Sequence, residues 1–562
     1  MKILIAQLNP VVGNLKYNAD NIYKSAILAK QREVQLLLTP ELSLCGYPPK
    51  DLVLSSTFIE NSWLELQKLA KRIPKKLAIL VGIVTKNYYS DIKGEKPLFN
   101  SVVLLQNNTI KQVFYKRLLP NYDVFDEKRY FESGKTSNFF ELPSSSQENQ
   151  FSRIGVTICE DLWNDQNFWG QRNYKNNPIE DLVKYKVDFI VNLSASPYII
   201  RKQKVRESML KHSSRLYQVP IVYVNQVGGN DDLIFDGYSC ATNKKGEIIL
   251  RTKGFQVRTE IIEYSHITRD LKVSFNKNSN ITKEEEIWSA LVLGLRDYAI
   301  KCGFSKVVLG LSGGIDSSLV ASIAAESLGP KNVLGILMPS PHSSQHSITD
   351  ARHLANNLGI NSYMIPINNI MLAYDFSLNS LFKTVEIGIA EENLQSRIRG
   401  NILMAIANKF GHLLLSTGNK SEISIGYCTL YGDMNGGIGV IADVAKTQVF
   451  SLCNWLNRFQ EIIPNNILIK PPSAELKPNQ IDQDSLPPYN ILDDLLNRFI
   501  NHHQSIEEIQ KVGFDYDLLY KIAKLIIRAE FKRKQAPPGL KITNQAFGTG
   551  WRMPIASHFE LN

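Results

Sequence analysis

Two α/β units in series, the second a doubly wound parallel sheet, is the fold class this sequence predicts. Three observations carry it. At 562 residues the chain is longer than one ordinary domain. Short apolar β-type runs alternate with helical segments in both halves. Between the halves lies a stretch rich in Lys, Asn and Ser and poor in apolar residues, which is the composition of a linker. The expected division is residues 1–270, a linker over 271–284, and residues 285–562.

In the first half the β-type runs are Lys2–Ala6, Val34–Leu38, Leu77–Val84, Ser101–Leu105, Ile154–Ile158, Phe189–Leu193 and Ile221–Val224. Helical stretches such as Asn18–Gln31 and Ser62–Arg72 separate several of them. In the second half Glu284–Ala299 sets Ile287, Trp288, Leu291, Val292 and Leu295 on one helical face. A β run over Lys306–Leu311, a glycine turn and a helix over Ser317–Glu326 follow, then a strand at Val333–Met338 and a helix at Thr349–Leu358. This βα rhythm is that of a doubly wound parallel sheet. Ser144–Gln150 reads as a surface loop, and the glycine-rich Met434–Gly439 as a mobile one.

Composition narrows the function classes. With 44% hydrophobic and 21% charged residues the chain reads as globular. No apolar run approaches the roughly 20 residues of a membrane span, and the short N-terminal run reads as a buried strand, so a cytoplasmic place is expected. Six scattered cysteines without a CxxC pair suggest neither disulfides nor zinc, and His342 and His346 read as loop residues. The net charge of +10 is spread along the chain without a basic tail or an RNA-binding signature; it would also suit small polyanionic substrates such as nucleotides, and composition alone does not choose between these.

The richest stretch is Lys306–Val320, with Gly310, Leu311, Ser312, Gly313, Gly314, Ile315, Asp316, Ser317 and Ser318 at its centre. A strand, a glycine turn and a helix start place backbone N–H groups where they can cradle an anion. Asp316 beside a polyphosphate needs a divalent cation between them, which makes it a candidate Mg²⁺ ligand. No GxxxxGK[ST] occurs, which disfavours γ-phosphate transfer. The full Ser-Gly-Gly-Ile-Asp-Ser resembles the loop of the ATP pyrophosphatase (adenine nucleotide alpha hydrolase-like) family, whose members split ATP into AMP and pyrophosphate. Leu415–Lys446 and Glu391–Asn408 resemble NAD synthetases in particular. That resemblance implies that Thr417 contacts ATP and that Glu422 shares Mg²⁺ with Asp316. It places Asp433 and Lys446, with Arg399 and Asn401, on the deamido-NAD substrate. Pro471–Leu476, including a weaker contact at Ser473, continues the match.

In the first half Glu41 lies in Thr-Pro-Glu-Leu-Ser-Leu-Cys-Gly-Tyr, Lys116 in Phe-Tyr-Lys-Arg-Leu-Leu-Pro and Cys159 in Gly-Val-Thr-Ile-Cys-Glu-Asp-Leu-Trp, each after a β run. A thiol nucleophile, a carboxylate to take its proton and an ammonium to steady an oxyanion make a coherent set for amide hydrolysis. The three segments resemble the Glu–Lys–Cys constellation of the nitrilase family in its amidase form. The resemblance implies a nitrilase-like αββα sandwich and an accessory role for Glu127. It also suggests glutamine contacts at Tyr122, Glu160, Ser196 and Lys202, although Arg201 stands before Lys202 where the family often has glycine. Cys45 lacks the strand-end Cys-Glu setting of Cys159.

Together the resemblances imply glutamine as amide donor, ATP and deamido-NAD as substrates, Mg²⁺ as cofactor, and a homo-oligomer paired through the synthetase halves. Ammonia handed from one site to the other through a tunnel follows from its loss as ammonium in water. A glutamine amidotransferase of the same loop family with a different acceptor stays open, as do an inactive sensor and a nucleic-acid-modifying enzyme.

Overall fold

The structure, a computed structural model, describes residues 1–143, 151–272, 281–383, 385–386, 388–473, 475–477 and 480–557. The Ser144–Gln150 loop and most of the predicted linker therefore lie outside the described residues. The chain divides into two compact units, Met1–Asn230 with Ile234–Ile281, and Asp231–Leu233 with Thr282–Asn562.

The first unit holds two sheets. One has the order β15-β14-β1-β2-β3-β4-β5: β1 (Lys2–Gln7), β2 (Leu36–Leu38), β3 (Ala78–Lys86), β4 (Leu98–Gln106), β5 (Thr109–Tyr115), β14 (Arg258–Ser265) and β15 (Asp270–Leu271). The other runs β13-β12-β9-β8-β7-β6: β6 (Phe139–Pro143), β7 (Phe151–Ile158), β8 (Phe189–Ser194), β9 (Ile221–Asn225), β12 (Cys240–Thr242) and β13 (Ile248–Arg251). A separate hairpin pairs β10 (Val227–Asn230) with β11 (Leu233–Asp236). The middle strands β1, β2 and β3 are parallel, as are β7, β8 and β9, while the outer pairings are antiparallel.

Side-chain alternation explains the layering. Ile3 and Ile5 of β1 pack with Val102, Val156, Val191 and Val222 in a core between the sheets. Leu4 and Ala6 face the other way, against α1 (Leu15–Gln31) and α2 (Ser56–Arg72), through Ala19, Ile22, Leu66 and Leu69. On the far side Ile190 and Tyr223 meet α3 (Pro178–Lys184) and α4 (Lys202–Tyr217) through Leu182, Met209 and Leu210. The result is helix, sheet, sheet, helix: the expected αββα sandwich. The predicted strands recur here; the additional ones include half-polar strands of incomplete burial, β5 and β14, and short buried ones, β11 and β12.

The second unit is built on a parallel sheet of order β18-β17-β16-β19-β20: β16 (Val307–Gly310), β17 (Val333–Leu337), β18 (Asn361–Met364), β19 (Leu413–Ser416) and β20 (Ile438–Gly439). Successive strands leave β16 first to one side and then to the other, so the carboxyl end of β16 is the topological switch point where ligands of such sheets bind. The helix after it, α6 (Ile315–Leu328), starts two residues before the predicted Ser317, because extended Gly314 caps it; α5 (Lys283–Lys301) precedes the strand. Ile438 and Gly439 are buried on β19 rather than part of a mobile loop. Further helices are α7 (Gln345–Leu358), α8 (Asn368–Phe382), α9 (Ile389–Phe410), α10 (Lys420–Ile425) and α11 (Lys446–Leu456). Among the described residues no helix is long and apolar enough to cross a membrane.

Candidate active sites

Glu41, Lys116 and Cys159 follow β2, β5 and β7, and all three are buried. Two local features bring them together. Gly82 on β3 lets the Glu41 segment cross close: a Cβ there would stand 2.2 Å from the Leu42 backbone nitrogen. Asp161 ties the other two, accepting the backbone N–H groups of Arg117 (3.0 Å) and Leu118 (2.8 Å) on one oxygen and that of Ile158 (3.0 Å) on the other. Cys159 itself has φ 40°, a left-handed conformation uncommon for a residue with a side chain and frequent at functional turns.

The Lys116 ammonium donates to Glu41 Oε1 at 2.7 Å and to Glu127 Oε1 at 2.8 Å. Glu41 Oε1 also accepts from Asn100 Nδ2 at 2.8 Å, and its Oε2 from the Ala195 N–H at 3.0 Å. Burial opposes the Lys116 charge, but Glu127 and Glu41 outweigh it and hold the ammonium well above its ordinary pKa. Burial pushes the Glu127 carboxyl up to about 7, against the pull of Lys116. Burial, then the Glu41 charge, also raises the Cys159 thiol, with Lys116 working the other way. Burial thus favours the protonated thiol, with the Glu41 charge within electrostatic reach of it.

Glu160 accepts hydroxyl hydrogen bonds from Tyr122 (3.0 Å) and Tyr174 (2.9 Å), and burial raises its carboxyl. The Lys202 ammonium lies 4.5 Å from the centre of the Trp163 ring, and burial lowers its pKa while Glu160 and Cys159 act to raise it. Ser196 is buried, its N–H donated to Asn225 Oδ1 at 2.9 Å. Charges of both signs, Glu160 and Lys202, thus act on Cys159. Tyr174 and Asn100 are absent from the sequence reading. Asn100 carried a signal, an amide inside the apolar run Leu98–Gln106; Tyr174 sits in a loop without one.

The second unit carries a cavity of about 330 Å³ at the switch point, lined by Ser312, Asp316, Thr417, Glu422 and Lys446 among others. Gly310, Leu311, Gly314, Ile315 and Ser317 also line it, as do Arg399, Asp433 and Ser473. Gly313 lies just outside the lining with φ 72°, where a Cβ would strike the Ser347 carbonyl at 2.2 Å. Ser318 is turned back, donating to the Gly314 carbonyl at 2.7 Å, and Asn401 is exposed and outside the lining.

Lys446 holds this site's charges. Its ammonium donates to Asp316 Oδ2 at 2.5 Å and Glu422 Oε1 at 3.3 Å, and Asn419 Nδ2 donates to Asp316 Oδ1 at 3.0 Å. Burial opposes the Lys446 charge, yet Asp316 and Glu422 hold it above its ordinary value. Burial pushes Glu422 up to about 8 and Asp433 up to about 6. Asp482 and Tyr489 stand behind them, joined by a 2.7 Å hydrogen bond. Among the described residues no three His, Cys, Asp or Glu side chains converge as a metal cage. Two carboxylates completed by phosphate oxygens are nevertheless the donor set Mg²⁺ takes in nucleotide sites, and Asp316 with Glu422 fits it.

Two family models match the chain, carbon-nitrogen hydrolase over residues 2–267 and NAD synthase over residues 287–536. Similar relatives include the glutamine-dependent NAD(+) synthetase of Synechocystis, 58% identical over 99% of both chains. That of Thermotoga maritima is 41% identical over 100% of this chain and 99% of its own. Among solved structures, the glutamine-dependent NAD+ synthetase of Acinetobacter baumannii in complex with ADP is 36% identical, with a TM-score of 0.76 over 100% of this chain and 99% of its own.

Proposed function

The chain belongs to the glutamine-dependent NAD(+) synthetases, and from that premise we propose how its residues divide the work. The observation that carries the assignment is the presence in one chain of two complete but different sets: a buried Glu41–Lys116–Cys159 cluster and a switch-point cavity with Asp316, Glu422 and Lys446.

In the glutaminase unit Glu41 takes the Cys159 proton as the thiolate attacks the glutamine side-chain amide carbon. Lys116 steadies the tetrahedral oxyanion, and the proton passes from Glu41 to the leaving ammonia. Water then cleaves the thioester, giving glutamate and the free thiol. Glu127 holds Lys116 from its other side. Glu160, with Tyr122, receives the substrate's α-ammonium, and Lys202 with Ser196 its α-carboxylate; opposite charges at these two ends support that reading.

In the synthetase unit the nicotinate carboxylate of deamido-NAD attacks the α-phosphorus of ATP, releasing pyrophosphate and leaving an acyl-adenylate. Ammonia attacks the acyl carbon, and AMP departs with the oxygen. The N–H groups at the start of α6, from Ile315 to Ser317, face the phosphates, with the Ser312 and Ser317 hydroxyls beside them and Thr417 on the nucleotide. Mg²⁺ held by Asp316 and Glu422 would offset charge on the polyphosphate. Lys446 moves from its two carboxylates to phosphate oxygens as substrate enters. Arg399 and Asp433 line the deamido-NAD end; the weaker assignments are Asn401 and Ser318, whose placement lends them no support.

The homo-oligomer belongs to this reading. None of α8 is buried, and Leu372, Phe376 and Leu381 on it are exposed with Tyr363, Ile389 and Phe410 nearby in sequence, an apolar set that suits a second synthetase unit. Purified protein given glutamine, ATP, Mg²⁺ and deamido-NAD should form NAD, AMP and pyrophosphate in equal amounts. Formation of ADP and phosphate instead would overturn adenylation.

A further inference from the structure

Asn100 has no part in the chemistry above, yet its side chain reaches both carboxylates of the glutaminase cluster and its backbone holds the main chain of Lys116. It is fully buried on β4. Its side-chain nitrogen donates to Glu41 Oε1 at 2.8 Å and reaches Glu127 Oε2 at 3.5 Å, and its backbone carbonyl accepts the Lys116 N–H at 2.9 Å. Both neighbours of the amide are acceptors when ionised, so chemistry fixes which end faces them. The other end, Oδ1, is buried and meets no donor among the described residues. A fold that needed only shape here would place an apolar side chain and leave no oxygen unpaired.

The cluster has two carboxylates and one ammonium, so a proton has two places to sit. Lys116 is shared by both carboxylates and does not choose between them. Asn100 does: it donates closely to Glu41 and only at the limit to Glu127, and an amide N–H favours the ionised partner. Tyr47, by contrast, spends its hydroxyl on Glu127 Oε1 at 2.9 Å.

We propose that Asn100 is a positioning residue of the glutaminase reaction, its amide gripping Glu41 more closely than Glu127 so that Glu41 is the carboxylate fixed as the base for Cys159. The proposal rests on the reading of Glu41 as that base. The groups that act on Glu41 are Lys116, Glu127 and Cys159, with Tyr47 from its own loop. Removing a donor to an ionised carboxylate raises its pKa. The acid limb of activity, set by the carboxylate pair together, must then move to higher pH.

The test compares wild type with Asn100→Leu, which keeps the volume and removes both amide ends, and with Asn100→Ser, which keeps a donor. Glutamate release is followed against pH, with ammonium-driven NAD formation as the folding control. The expected result for Asn100→Leu is a kcat for glutamine lowered by about 10- to 100-fold, KM within about twofold, and an acid limb moved up by about half a pH unit or more. Asn100→Ser should recover part of both effects. An acid limb that stays in place in both variants, whatever the loss of rate, overturns the proposal, because loss of folded enzyme lowers the rate at every pH alike. If Asn100→Leu fails with both nitrogen sources, the limb of Asn100→Ser decides. Glu41→Gln separates the premise: retained glutaminase in that variant would overturn the role of Glu41 itself.

Discussion

The two sites handle charge in opposite ways. In the glutaminase unit the reacting groups are sealed in, and one ammonium, Lys116, is already shared by Glu41 and Glu127 in the same cluster as a buried thiol. In the synthetase unit Lys446 bridges Asp316 and Glu422 on the wall of a cavity, a pairing that a phosphate and its cation can exchange. The difference follows from the chemistry. Amide hydrolysis by a thiol moves protons over short distances and admits a single water for the thioester, so a buried, preformed cluster suits it. Adenylation brings a polyanion whose charge exceeds any the protein can bury, so the site keeps exchangeable counter-charges.

The comparison can be broken most forcefully at Asp316. Asp316→Asn should lower NAD formation by about 100-fold with either nitrogen source, while basal glutamate release stays within about threefold. Removing Mg²⁺ with a chelator should reproduce that split in the unmodified protein. Equal loss of both activities would show that the two sites do not divide the charges as described. A smaller effect sharpens the glutaminase side. Because burial holds the Cys159 thiol above its ordinary pKa, its alkylation by iodoacetamide, read on its own peptide by mass spectrometry, should rise several-fold, about tenfold at most per pH unit, from pH 7 to 9. A rate independent of pH would mean the resting group is already a thiolate. The smallest effect concerns the scaffold. Gly82→Ala forces a methyl against the backbone of Leu42 and should cost about 1–3 kcal/mol in a urea melt, with glutamine use impaired more than ammonium use.

Much of this was legible in the sequence, for reasons that particular residues show. Glu41 and Cys159 each follow an apolar run and Lys116 follows the half-polar β5, and strand ends are where a side chain can reach a shared site. The glycine loop and Asp316 mark the strand-to-helix switch because few residues accept the φ of 72° at Gly313. Harder to read were contacts that exist only once distant strands pair. Asn100 meets Glu41 and Glu127 across the sheet, and Tyr174 reaches Glu160 from a loop with no periodicity. Ile438–Gly439 misled in the other direction: glycines there admit close packing on β19 rather than motion, since a Cβ on Gly437 would meet Leu413 at 2.4 Å. Sidedness was equally hidden: the Ser318 hydroxyl turns back to the Gly314 carbonyl, and Asn401 is exposed outside the cavity lining.

The central claim is that one chain makes ammonia at Cys159 and spends it at a separate, self-sufficient synthetase site. The most direct measurement is NAD formation by wild type and Cys159→Ala, each supplied with glutamine or with ammonium. The account predicts that the variant loses glutamine-driven synthesis by about 1,000-fold or more and keeps ammonium-driven synthesis within about twofold. Glutamine-driven synthesis that survives in Cys159→Ala would contradict it.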